Sequence, residues 1–94
     1  MAKRLLPEEI RERLAALPDW KLDGKTIVRK LRFADFLAAI AFVNRLAEVA
    51  EAADHHPDIL IHYREVTLTL WTHTVDGLTA KDFELAAAIE KVPR

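Results

Sequence analysis

An α+β fold, with a four-stranded antiparallel sheet and three helices packed on one face in the order α-β-β-α-β-β-α, is predicted by three features of this 94-residue sequence. Two stretches alternate apolar and polar residues over pairs of short strands, as hairpins do. Stretches of three- and four-residue apolar spacing lie before, between and after them, as helices do. No repeat, low-complexity segment or linker separates these elements, so residues 1–94 are expected to form one domain.

The first helix opens at Leu6-Pro7-Glu8-Glu9, where proline suits the first helical position and the carboxylates complement the positive end of the helix dipole. Ile10, Leu14 and Leu17 repeat at helical spacing, and Pro18 stops the run. Trp20-Lys21-Leu22 then alternates, Asp23-Gly24 supplies a tight turn, and Thr26 to Leu31 returns as a β-branched strand. From Asp35 to about Ala53 the spacing becomes helical again, with Phe36, Ile40, Val43, Ala47 and Ala50 as the expected buried stripe. Pro57 disfavours helical geometry in the residue before it, so this helix should end near Asp54-His55-His56. Ile59 to Tyr63 alternates as a third strand, with Ile59, Ile61 and Tyr63 on one face. Val66 to about His73 reads as a fourth, with Val66, Leu68 and Leu70 on one face and Thr67, Thr69, Trp71 and His73 on the other. Asp76-Gly77 breaks it, and Thr79 caps a last helix running to about Lys91.

Hydrophobic residues make up 51% of the chain and charged residues 31%, the balance of a globular protein in water. A chain this short buries roughly two thirds of its unfolded surface, so self-association is a natural way to add burial. The short edge strands leave a sheet edge open for such pairing. Lysine and arginine total 14 against 15 acidic residues, a net charge of −1. That weighs against a nucleic-acid partner, because phosphate neutralisation needs clustered positive charge. Arg29-Lys30-Leu31-Arg32 alternates along a strand and fits a solvated face better than a binding patch. No apolar run suits a membrane span and no signal-peptide pattern opens the chain, so a soluble, cytoplasmic protein is expected.

Cysteine, serine and glutamine are absent, which excludes disulfides, thiolate metal sites, cysteine nucleophiles and a serine triad. Asn44 and the initiator Met1 are alone of their kinds, a depletion of labile residue types that hints at a source adapted to heat. With only Gly24 and Gly77, no glycine-rich phosphate cradle can form.

Catalysis must therefore rest on His, Asp, Glu, Lys, Arg, Tyr or Thr, and four histidines stand out. His55 and His56 are adjacent at a helix end just ahead of Pro57, well placed for a pocket rim, and His73 could converge on them. Imidazoles around one cavity can supply both an acid and a base near neutral pH. Taken alone, an adjacent histidine pair is more often solvated or capping a helix, and His73 could be a partly exposed strand residue. Asp82 stands at capping-box spacing from Thr79. His62 reads as a surface residue, and Trp20 packs in or over the core or, less often, lines a ligand site. Neighbouring histidines point apart, and no His-x-x-x-His or His-Glu-x-x-His spacing occurs, so no metal site is expected.

Taken together, Glu51, three residues, His55-His56-Pro57, five residues, Tyr63, nine residues, His73, eight residues and Asp82 form a pattern far more specific than any piece of it. It resembles that of the pterin-4a-carbinolamine dehydratases. The resemblance covers nearly the whole chain: Leu6 to Ile10 is similar to the family's opening helix, the Trp20 hairpin follows, and Leu78-Thr79 to Ile89-Glu90 is similar to its closing helix. The family's fold is an α+β domain of four antiparallel strands and three helices.

The resemblance implies dehydration of 4a-hydroxytetrahydropterin to quinonoid dihydropterin, in the cofactor cycle of pterin-dependent aromatic amino-acid hydroxylases. It implies no metal or organic cofactor, the pterin being the substrate. His55, His56 and His73 match the family's three active-site histidines, with His55 and His73 expected as acid–base groups and His56 orienting the pterin. Glu51 and Asp82 match supporting positions, where a carboxylate can fix an imidazole's tautomer. Pro57, Thr72 and Thr74, with Trp20, are expected to shape the pocket or contact the substrate. Two departures occur: Ile59-Leu60 stands where many members carry an aromatic residue, and Trp71 where small residues are common. Members assemble as homodimers or homotetramers. Some also act as dimerisation partners of a homeodomain transcription factor, and related domains lacking the catalytic set serve as assembly scaffolds for the carbon-fixing carboxylase. Three retained histidines weigh against a purely structural role of that kind.

Overall fold

A computed structural model, described over residues 3–94, shows α1 (Pro7–Ala15), β1 (Lys21–Asp23), β2 (Thr26–Arg32), α2 (Phe36–Ala53), β3 (Asp58–His62), β4 (Glu65–Leu70), a 3₁₀ turn (His73–Val75) and α3 (Ala80–Glu90). The strands form one antiparallel sheet in the order β1-β2-β4-β3, which is the predicted α+β architecture. In register, Ile27 faces Leu70, Leu31 faces Val66, and Ile59 and Ile61 face Leu68 and Val66. These side chains share one face of the pleat, and the helices cover that face except at Ile59 on the edge strand, which stays exposed.

Local chemistry sets the element ends. Pro7 begins α1, and the Leu6 backbone N–H donates to Glu9 Oε1 at 2.9 Å. Gly24, at φ 61°, takes the left-handed position of the two-residue turn joining Asp23 to Thr26. Asp35 caps α2 by accepting from the Ala38 backbone N–H at 2.8 Å. No helix among the described residues is long and apolar enough to cross a membrane.

The core joins Ile27, Leu31, Val66, Leu68 and Leu70 of the sheet to Phe42 and Leu46 of α2 and to Phe83, Ala86 and Ile89 of α3. α1 is shallower, with Ile10 and Leu14 only partly buried against this cluster. The buried stripe of α2 differs from the expected one: it is Ala39, Phe42, Leu46 and Ala50. Ile40 and Val43 are half-buried, Ala47 is exposed and Phe36 is 46% exposed. The helix begins with eight consecutive apolar residues, Phe36 to Val43, so several stripes fit the spacing and packing selects one.

Three further expectations are corrected. Tyr63 lies in the two-residue turn between β3 and β4 at φ 55°, not on a strand face. β4 ends at Leu70 rather than near His73, because its partners run out: Asp58 opens β3 opposite Thr69, and Leu70 pairs with Ile27 at the near end of β2. Arg29 is not solvated. It lies on the helix-covered face between Ile27 and Leu31, with a side chain 11% exposed, and its Nε donates to Glu90 Oε2 at 3.1 Å. Lys30 and Arg32 are the exposed members of that basic run.

Glu90 also accepts from Trp20 Nε1 at 3.1 Å, which locks the 2%-exposed indole into the core. Trp20→Phe should lower stability by about 1–3 kcal/mol, the scale of a lost hydrogen bond to a charged group. Denaturant unfolding would measure this, and turnover should stay within about twofold because the indole is remote from the site below.

Candidate active site

The C-terminus of α2 aims His55. Asp54 adopts the left-handed conformation (φ 52°, ψ 41°), its N–H bonds back to Glu51 O, and the His55 N–H bonds to Ala50 O. This is a Schellman closure with aspartate in the slot glycine usually fills. Aspartate tolerates positive φ better than most residues, and Asp54 also lines the cavity described below.

His55 Nε2 lies 2.6 Å from Asp82 Oδ1, and the Asp82 side chain is completely buried. A carboxylate oxygen only accepts, so Nε2 carries the proton in this pair and Nδ1 is left for other chemistry. The second oxygen of Asp82 accepts from the Thr79 backbone N–H and from Thr72 Oγ1, both at 2.9 Å. Thr72 Oγ1 spends its one proton there, so Thr79 Oγ1, 2.8 Å away, donates to it and accepts in turn from the Lys81 backbone N–H. Asp82 thus both closes the capping box of α3 and orients His55. No buried side-chain nitrogen or oxygen among the described residues lacks a partner.

His56 turns the other way. Its Nε2 lies 2.8 Å from Glu51 Oε1 in an exposed pair. His73 stands at the start of the 3₁₀ turn, past the end of β4, with its ring stacked on Trp71 at a centroid separation of 4.1 Å and an interplanar angle of 9°. The loop that presents it is tied at both ends. Thr72 and Gly77 exchange backbone hydrogen bonds, Arg4 donates to Val75 O through Nε and Nη2 at 3.2 and 2.9 Å, and Lys25 reaches Asp76 from the β1–β2 turn. The hydrogen-bonded Lys25 ammonium holds the Asp76 carboxyl below the usual carboxylate range.

These groups converge on one cavity of about 310 Å³, enough for a bicyclic heterocycle. His55, His56 and His73 line it together with Thr72, Thr74 and Trp71. Of the other candidates, Asp82 supports the wall from behind, Glu51 reaches the cavity only through His56, and Pro57 lies just outside it at the start of β3. The structure separates Trp20 from the cluster, because its indole is committed to the core and to Glu90. Asp54 and Lys81 were not singled out from sequence, yet both line the cavity. Their signal was adjacency alone, one residue before His55 and one before Asp82. His62 is exposed at the end of β3, as expected. Among the described residues no group of three or more His, Asp or Glu side chains is arranged to hold a metal ion.

A family model described as pterin 4 alpha carbinolamine dehydratase matches residues 3–92. Provisionally named pterin-4-alpha-carbinolamine dehydratases are similar over almost the full length. One from Acidobacterium capsulatum is 56% identical over 87 residues, 93% of this chain and 95% of its own. One from Chloroflexus aurantiacus is 57% identical over 89 residues, 95% and 96% of the two chains. The crystal structure of a transcriptional coactivator/pterin dehydratase from Brucella melitensis matches with a TM-score of 0.90 at 37% identity, over 96% of this chain and 98% of that one. A pterin dehydratase-like protein identified as a RuBisCO assembly factor in the alpha-carboxysome shares the fold, with a TM-score of 0.68 at 23% identity over 79% of this chain and 88% of that one.

Proposed function

The chain belongs to the pterin 4 alpha carbinolamine dehydratase family, and from that premise we propose that it removes water from a 4a-hydroxytetrahydropterin by histidine acid–base catalysis. The observation that carries this is the pairing of His55 with buried Asp82 on one wall of a cavity that His73 also faces. In the reaction the C4a–O bond breaks with a proton delivered to the leaving oxygen, N5 gives up its proton, and the C4a=N5 double bond of the quinonoid dihydropterin forms. Two proton transfers balance the step, so a positioned acid and a positioned base suffice without a metal or an organic cofactor.

His55 and His73 fill those two roles. His55 works through Nδ1, its Nε2 being held by Asp82. His56, steadied by Glu51, orients the pterin, and Thr72 and Thr74 shape the pocket. The substrate is of the kind a pterin-dependent hydroxylase releases. Purified protein should accelerate formation of quinonoid dihydropterin from 4a-hydroxytetrahydropterin generated in situ, followed by absorbance. Prolonged chelation should leave that rate unchanged, and a chelator-sensitive rate would instead require a metal.

Self-association is the second part of the proposal, favoured by apolar surface on two elements. Edge strand β3 and its turn expose Ile59, Leu60 and Tyr63, the last two at 63%, and α2 exposes Phe36 and Leu37. A second copy of the chain is the occupant proposed for these surfaces, as a homodimer or homotetramer.

A further inference from the structure

We propose that Trp71 is the positioning residue of His73, holding the imidazole plane by face-to-face stacking where His55 and His56 are held by carboxylates. This rests on the dehydratase function proposed above. Asp82 fixes His55 and Glu51 fixes His56, each through a ring nitrogen. Among the described residues His73 makes no side-chain hydrogen bond, and its ring contact is the indole of Trp71.

The backbone explains how the two rings meet. Thr72 between them is extended (φ −100°, ψ 108°), so Trp71 and His73 project to the same side although β4 has already ended. Trp71 is partly buried and packed against the hydrophobic core, which anchors it. A stacked partner restrains tilt of the imidazole while leaving both of its nitrogens open to the cavity, which a carboxylate would not do. The same contact covers one indole face, so Trp71 cannot offer that face to a pterin without displacing His73.

The test uses Trp71→Leu and Trp71→Phe in the full chain, with two readouts. In NMR spectra the His73 ring protons of the native protein should be shifted upfield by the indole, relative to those of exposed His62. The shift should vanish in Trp71→Leu and shrink in Trp71→Phe. In kinetics, Trp71→Leu should lower kcat by about 10- to 100-fold, the scale of a misplaced catalytic group, with KM changed less than about threefold. Trp71→Phe should recover most of the loss. A raised KM at unchanged kcat would make Trp71 a substrate contact and overturn the proposal, as would unshifted His73 protons in the native protein. Upfield-shifted His73 in a protein without turnover would support the stack and overturn the dehydratase function on which its catalytic consequence depends.

Discussion

Replacing His55 or His73 by alanine lowers turnover by about 10²–10⁴-fold, the loss expected when a positioned acid or base is removed. Neither change should unfold the protein. His73 is exposed on a loop whose ties to Arg4, Lys25 and Gly77 do not involve its ring. His55 leaves Asp82 still bonded to Thr72 and Thr79. The two imidazoles act on one substrate molecule, so the double variant should lose less than the product of the single losses. His56→Ala is expected to differ in kind, raising KM more than it lowers kcat, because its carboxylate partner and its own ring are exposed. Steady-state rates for the three variants, with circular dichroism to confirm folding, separate these outcomes. Native turnover in either His55→Ala or His73→Ala would remove that residue from the mechanism.

The second large effect is at Asp82, where cap and catalysis meet. Asp82→Asn can place its amide oxygen where Oδ2 sits and keep the bonds from Thr79 N–H and Thr72 Oγ1. Its amide nitrogen then faces His55 Nε2 and can only donate, which forces the imidazole proton onto Nδ1. The wrong nitrogen is now protonated, and turnover should fall by about 10²–10⁴-fold with a stability loss of about 1–3 kcal/mol. Asp82→Ala instead removes the shared acceptor of His55 Nε2, the Thr79 N–H and Thr72 Oγ1, and should cost about 3–5 kcal/mol in stability as well as turnover. Thermal unfolding beside turnover distinguishes the two substitutions. An Asn variant that loses stability while keeping native turnover would reduce Asp82 to a helix cap.

Much of this was legible in the chain because its cues are local. Pro7, Gly24, Asp35, Pro57 and Thr79 each fix an element end through their own backbone or side-chain chemistry, and the structure places those ends within a residue or two. The pattern of Glu51, His55, His56, His73 and Asp82 marked the site through its resemblance to the dehydratase family, and the structure brings the three histidines to one cavity with the two carboxylates behind His55 and His56. What spacing could not supply depends on tertiary contact. Eight consecutive apolar residues left the buried face of α2 open until Phe42 and Leu46 met the sheet. The alternation of β4 runs on past the point where β2 and β3 can pair with it, so His73 was expected on a strand and lies on a turn. Arg29 pairs inward with Glu90, 61 residues distant in the chain, and the bond from Trp20, whose burial was expected, to the same carboxylate spans 70. The capping-box spacing accounts for Asp82 without any reference to His55, so its support of an imidazole was expected only from the family resemblance, and which histidine it meets is set by tertiary contact.

The most direct measurement is the rate of 4a-hydroxytetrahydropterin dehydration by the purified protein beside a His55→Ala/His73→Ala double variant of matched stability. Acceleration over the spontaneous rate that disappears in the double variant is the predicted result. A folded native protein that gives no acceleration, or a double variant that keeps it, would contradict histidine acid–base catalysis in this cavity.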